Sequence, residues 1–169
     1  VPPKSEGTKR IVVISDTHMR HRDVDLPCGD VLIHCGDVLC FGGDVEPEAS
    51  QAWSQCLDDF CSWLQENQKQ CPEAVVIAGN HDKAFEDLGP EGLRHRLPAH
   101  TRYLCNSETC LFGGVRIYGT PYSPLSRSNN TAFQLASTEA KRRALDVIPT
   151  GLDILITHAA PRLEVAGFG

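Results

Sequence analysis

Four short runs of branched apolar residues punctuate the chain: RIVVIS at 10–15, DVLIHC at 30–35, EAVVIA at 73–78 and LDILIT at 152–157. None alternates apolar with polar positions, so each predicts a strand covered on both faces, the pattern of a parallel sheet. Between the second and third runs lies PEASQAWSQCLDDFCSWLQENQ, at 47–68. There Trp53, Leu57, Phe60 and Leu64 recur at helical spacing, with Pro47 near the start. A strand–helix–strand unit is the consequence.

Further along, residues 82–99 predict a broken helix, interrupted at Gly89-Pro90 and Gly92 and ended by Pro98. TRYLCNS, TCLFGG and VRIYGTP predict short strands, the last two joined as a hairpin across Gly113-Gly114. Another helix is predicted over 131–147, closed by Pro149. No repeat, low-complexity tract or linker divides the chain, so 10–169 is read as one domain behind a flexible lead-in at 1–9.

Each apolar run ends on polar chemistry. IVVIS delivers the chain to Asp16 and His18, VLIHCG to Asp37, VVIAG to Asn80 and His81, and DILIT to His158. If the four strands are parallel neighbours, these side chains gather on one rim of the sheet, where open α/β sheets place ligands. Gly36 and Gly79 precede Asp37 and Asn80 and permit the tight turns that aim them. The donor set mixes carboxylates, an amide and imidazoles, with no thiolate. It suits two divalent ions, manganese first, with iron, zinc, magnesium or cobalt also accepted, rather than copper or an iron–sulfur cluster. A carboxylate bridging ions about 3.5–4 Å apart suits in-line displacement at phosphorus.

Composition narrows the classes. With 169 residues, 41% hydrophobic and 22% charged, the chain has enough material for one sizeable core. A net charge of -6 disfavours dedicated nucleic-acid binding but leaves a small phosphate-bearing substrate open, because bound cations would supply positive charge. No stretch is apolar for long enough to cross a bilayer, and residues 1–10 carry no signal-peptide pattern. The chain opens on Val1 rather than Met, so a natural start is expected upstream or removed. Its 8 cysteines form no CxxC pair, and Cys35 sits inside an apolar run, which reads as reduced thiols in a cytoplasmic protein.

In order along the chain, D-x-H (Asp16, His18), G-D (Gly36, Asp37), G-N-H-D (Gly79 to Asp82) and the strand-borne His158 resemble the calcineurin-like metallophosphoesterases, from about Lys9 onward. Within them, DVLIHCGD, VVIAGNHD, VRIYGTPYSP and GLDILITHAAP look most like the metallophosphoesterase-domain-containing, brain 239 protein-like group. The resemblance implies a single metallophosphoesterase domain, an α/β fold in the form of a four-layer α/β/β/α sandwich of two mixed sheets. It implies that Asp16 and His18 hold a first metal, Asp37 bridges, and Asn80 and His158 hold a second. His81 would act on the leaving-group oxygen beside substrate-touching Asn80, and Asp82 would orient His81. The implied function is a binuclear metal-dependent phosphoesterase, a phosphodiesterase before a monoesterase. A metal-bridging hydroxide would attack in line on a small nucleotide-type substrate such as a cyclic nucleotide.

Two departures from the family pattern shape the expectations. Purple acid phosphatases place a metal-binding tyrosine three residues after the bridging aspartate; here that position is Cys40, which is expected not to ligate. The pattern also closes with a G-x-H or G-H-x-H segment beyond the His158 strand, and none occurs through Gly169. A domain short of its C-terminal strands and last ligand motif is therefore expected, with an unpaired sheet edge open to a protein partner. The alternative function is accordingly a weak or inactive member acting as a binding or scaffold protein.

Outside the motifs, Tyr122 in GTPYSP offers a stacking face for a base. Arg94, His95, Arg96, His100 and Arg102 form a basic concentration, read as a solvated helix end with phosphate recognition as the alternative. His21 is assigned to a charged loop. His34 faces away from its neighbours Ile33 and Cys35, toward a buried hydrogen-bonded role.

Overall fold

The computed structural model describes residues 2–40, 47–125 and 132–160, with the backbone alone at 47–51. Its first sheet is wholly parallel, in the order β1 (Ile11–Ile14), β2 (Val31–Cys35), β3 (Glu73–Ile77), β4 (Thr101–Tyr103). The register Ile14↔His34 and Cys35↔Ile77 brings the carboxyl ends of β1, β2 and β3 level. Helix α1 (Pro47–Glu66) makes the crossover from β2 to β3, and α2 (Lys83–Arg94) the one from β3 to β4. Leu57, Phe60, Trp63 and Leu64 of α1 bury themselves with Leu32, Ala74 and Val76 of the sheet. Each such side chain contributes about 1.5–3 kcal/mol by leaving water. The expected break in α2 falls at Gly89, whose φ of 63° and ψ of 177° leave the helical region just ahead of Pro90.

The second sheet packs on the other face of the first. It consists of β5 (Ser107–Leu111), β6 (Val115–Thr120) and β9 (Ile154–Thr157), preceded by the paired short strands β7 (Ser123–Pro124) and β8 (Gln134–Leu135) and by α3 (Thr138–Asp146). β5 and β6 form the hairpin predicted across Gly113-Gly114, closing at Leu111↔Val115. β9 runs parallel to β6 and β5 antiparallel to it, so this sheet is mixed; of the two mixed sheets expected, the first is instead parallel at every described pairing. Val31, Ile33, Val75 and Ile77 meet Leu111, Ile117 and Ile156 in the core between the sheets. α3 lies over the outer face, completing the α/β/β/α layering.

Two expectations are corrected. LDILIT is a parallel strand but not a neighbour of the other three, because β9 hydrogen-bonds to β6 in the second sheet. The helix expected from 131 begins at Thr138: Ser137 is its N-cap, accepting from the Ala140 amide at 3.0 Å, and 134–135 are spent on β8. Residue 131 lies outside the described residues. All 8 cysteines are free thiols. No described helix is long and apolar enough to cross a membrane. In the lead-in, Lys4 Nζ reaches both oxygens of Asp30 at 3.0 Å.

Candidate metal centre

The turns leaving β1 and β2 are strained. Asp16, His18, Met19 and Asp37 all hold positive φ, at 54°, 45°, 65° and 53°. Non-glycine residues pay roughly 1–3 kcal/mol for such backbone, which persists only where the surroundings over-determine it. Here the two turns lace together: the Asp16 amide donates to Gly36 O at 3.0 Å, His18 to Asp37 O at 3.0 Å, and Met19 to Val38 O at 2.8 Å. The lacing turns both carboxylates and the imidazole of His18 toward one point.

That point is Asp37, which is buried. Its two oxygens face different sides. Oδ1 accepts the His81 amide at 2.9 Å and lies 3.3 Å from His158 Nε2, whose other neighbour is Asn80 Oδ1 at 3.0 Å. Oδ2 lies 3.8 Å from His18 Nε2 and 3.9 Å from His81 Nε2. Asp16 Oδ1 stands 4.0 Å from His18 Nε2, and Ser15 Oγ donates to the Asp16 carboxylate. Two donor clusters share Asp37: His18 with His81, and Asp16 with His158, each set with its ligand atoms within 4.8 Å of one another. All six rim residues of the sequence analysis thus converge. The grouping differs from the one the resemblance implies, since Asp16 also reaches the His158 side and His81 stands among the donors on the His18 side.

The imidazoles show whether a cation fits. Each presents Nδ1 to a backbone carbonyl: His18 to Leu39 O at 3.0 Å, His81 to Cys40 O at 3.3 Å, His158 to Cys35 O at 3.0 Å. A carbonyl only accepts, so Nδ1 donates its hydrogen and each neutral ring is left with a bare lone pair on Nε2. Three lone pairs then face one carboxylate, an arrangement that repels unless positive charge lies between. Three imidazolium protons are a poor answer, because the His18 and His81 ring centroids are only 4.7 Å apart. Divalent ions answer it directly, and carbonyl-anchored histidines are the usual way a protein fixes the tautomer of a metal ligand.

Close approach explains both glycines. A Cβ on Gly79 would lie 2.3 Å from Asp37 Oδ1 and 2.6 Å from His158 Cε1. On Gly36, whose φ is 98°, it would lie 2.6 Å from Ala78 O and 2.7 Å from His158 Nδ1. No side chain larger than hydrogen lets the two sheets deliver their donors to one place.

Asp82 is fully buried, but its contacts run to the backbone. Oδ1 accepts the Leu39 amide at 2.7 Å; Oδ2 accepts Gly79 at 2.8 Å and Val38 at 3.2 Å. The carboxylate thus ties the turn after β2 to the turn after β3, while the His81 ring is held by Cys40 O. Burial pushes the Asp82 carboxyl up to about 7, outweighing the three amides that favour its charged form.

Other candidates stand elsewhere. Tyr122 lines a groove with α3 rather than the donor cluster. Within the basic concentration, Arg96 pairs with Asp58 at 2.5 Å, Arg94 with Glu91 at 3.6 Å, and Arg102 with Glu73. These partners leave the bland reading of that patch. Cys40 donates its thiol to His18 O at 3.0 Å. His34 is buried against Phe60 and contacts Thr17 Oγ1 at 2.9 Å, as its strand position suggested. His21 is a correction: it is buried rather than a loop charge, with Nε2 2.9 Å from Asp59 and its ring against Phe60 and Trp63. Thr17 was not legible as a support for the site; only its place between Asp16 and His18 could have flagged it.

Comparison with known proteins gives the same direction. The calcineurin-like phosphoesterase family profile matches residues 9–163. The chain is similar to metallophosphoesterase domain-containing protein 1 of Homo sapiens and of Mus musculus, at 32% identity over 94% of this chain and 51% of each relative. It is also similar to UPF0046 protein K07C11.7 of Caenorhabditis elegans, at 26% identity over 99% of this chain and 57% of that protein. The chain therefore spans about half the length of the curated relatives it matches.

Proposed function

Because the chain belongs to the calcineurin-like phosphoesterase family, we propose that it is a metal-dependent phosphoesterase with two cation positions sharing Asp37, acting on a small nucleotide-type phosphodiester such as a cyclic nucleotide. The single observation that carries this reading is the division of the Asp37 carboxylate between two donor sets. Divalent ions, manganese first, supply the charge that polarises a phosphoryl oxygen and makes water a better nucleophile.

The chain's own residues do the positioning. Asp16, His18, Asp37, Asn80 and His158 hold the cations, with His81 within reach of the His18 side. Cys40 O holds the hydrogen of His81 on Nδ1, leaving Nε2 to manage a proton at the departing oxygen when the ring is not ligating. Asp82 keeps the two turns that carry Asp37 and Asn80 at fixed separation. Tyr122 lines a groove against α3 and offers its ring as a stacking face for the base of the substrate. A cytoplasmic location suits the free thiols.

The test is turnover of bis(p-nitrophenyl) phosphate, p-nitrophenyl phosphate and cyclic nucleotides with manganese, in the chain and in Asp37→Ala. Diester turnover that disappears in the variant is expected. A folded, manganese-loaded chain that is inert, or a variant as active as the parent, overturns the reading; preference for the monoester overturns the substrate class.

A further inference from the structure

We propose that His34, a buried residue outside both donor sets, is a positioning residue: through Thr17 it fixes the turn that gives each set one of its ligands. The proposal rests on the two-cation reading of the site and deepens it. Asp16 and His18 flank Thr17 in sequence; the first belongs to the set with His158 and the second to the set with His81. A displacement of this one turn therefore loosens both cation positions.

The turn needs holding. Asp16, His18 and Met19 have φ of 54°, 45° and 65°, and their amides donate to Gly36 O, Asp37 O and Val38 O. Thr17 is held through its side chain instead. It is buried, and its Oγ1 lies 2.9 Å from His34 Nε2. The amide bonds tie the turn to another turn, the one that follows β2. His34 lies within β2 itself, in register with Ile14 and Val76, and its ring meets Phe60 of α1 edge-on at 5.5 Å. The Thr17 contact thus references the ligand-bearing turn to the body of the sheet.

A residue that only filled space would not need an imidazole here. Ile14, Val76 and Phe60 make the surroundings apolar, and His34 Nδ1 is buried with no hydrogen-bond partner among the described residues. Burying that nitrogen costs free energy that a leucine would not incur. What the imidazole adds over a leucine is its hold on Thr17.

The experiment measures manganese affinity by calorimetry in the 169-residue chain, at a temperature where circular dichroism shows each variant folded. Thr17→Val and His34→Leu break the contact at nearly constant volume. Each should weaken manganese at both positions by about tenfold or more, the lower end of the loss when a group supporting a ligand is removed. Thr17→Ser and His34→Gln keep a hydrogen bond and should restore most of the affinity. The double variant Thr17→Val/His34→Leu should lose no more than either single variant, because both break one contact. Ile117→Val, in the core between the sheets, should lower stability and leave manganese affinity unchanged. If His34→Leu does not fold, Thr17→Val decides alone. The proposal is overturned if Thr17→Val binds manganese as the parent does, if the two losses add, or if Ile117→Val weakens manganese equally. A parent chain that takes up no manganese overturns the two-cation reading, and the proposal with it.

Discussion

Asp37 Oδ1 lies 3.3 Å from His158 Nε2, so a turn of the parallel sheet and a strand end of the mixed sheet meet at one carboxylate. The contact is possible because β9 ends beside the carboxyl end of β2 and because Gly36 and Gly79 leave no Cβ between them. His158 is thereby the donor that closes the centre from the second layer. The other five come from the first sheet's turns.

Dividing the centre between two sheets predicts divisible metal binding. His158→Ala should retain one manganese and lose the other, because the His18 side does not depend on it. Asp37→Asn removes a ligand charge common to both positions and should weaken both by more than the roughly 10–100-fold lost when only a group supporting a ligand is removed. Calorimetric stoichiometry in the apo chain decides it: loss of both ions in His158→Ala would mean the positions are not separable.

The glycine before Asn80 should be intolerant for a local reason. Gly79→Ala would set a methyl group 2.3 Å from Asp37 Oδ1, against a carboxylate whose other contacts cannot move far. A hundredfold or greater loss of manganese affinity is expected, with folding retained. Gly114→Ala is the control, since a Cβ there meets nothing within 4 Å, and it should match the parent.

Much of this was legible in the sequence, and the limits are physical. β2 and β3 announce themselves because a strand covered on both faces needs apolar residues at every position, and the polar residue that follows marks the rim; β1 and β9 carry the same pattern, but Val13 and Leu155 stand exposed, which corrects the expectation that all four are covered on both faces. Which sheet receives β9 is not written in its own residues. Ile154 and Ile156 would satisfy either neighbour, and pairing with β6 is settled by packing between distant segments. His21 misled for a similar reason: Arg20, Arg22 and Asp23 surround it in sequence, yet Phe60 and Trp63 of α1 cover its ring. Asp82 sits in a recognisable motif, but its contacts with Val38 and Leu39 cross 44 and 43 residues of chain, and no local pattern encodes them.

His81 has two roles open to it, and leaving groups separate them. If His81 acts as an imidazolium that gives its Nε2 proton to the departing oxygen and keeps the Nδ1 hydrogen on Cys40 O, His81→Gln should lower kcat about 10²–10⁴-fold on a diester with an alkyl alcohol leaving group. The loss on bis(p-nitrophenyl) phosphate should be far smaller, because p-nitrophenolate departs without a proton. Manganese stoichiometry should be unchanged. If His81 is instead a ligand on the His18 side, the variant loses a cation and both substrates suffer equally.

Acid stability of the metal-free chain provides a check that does not depend on substrate. Burial against Phe60 pushes the His34 imidazole down to about 3, from 6.5 in the unfolded chain. Between those values the unfolded state binds the extra proton and the folded state refuses it, so falling pH favours unfolding. The contribution of a neutral His34 is complete above pH 6.5 and drains away by about 1 kcal/mol for each pH unit below it. His21, lowered chiefly by burial, acts in the same sense. Asp82 acts oppositely: raised from 3.8 to about 7, it binds its proton in the folded state first, and acidification through that window favours folding. The raw pH profile therefore mixes signs, and a variant isolates the histidine. His34→Gln can keep a hydrogen bond to Thr17 but cannot titrate, so its urea midpoint should fall less steeply between pH 7 and pH 5 than the parent's. Parallel profiles would show that His34 is already charged, or not buried, in the folded chain.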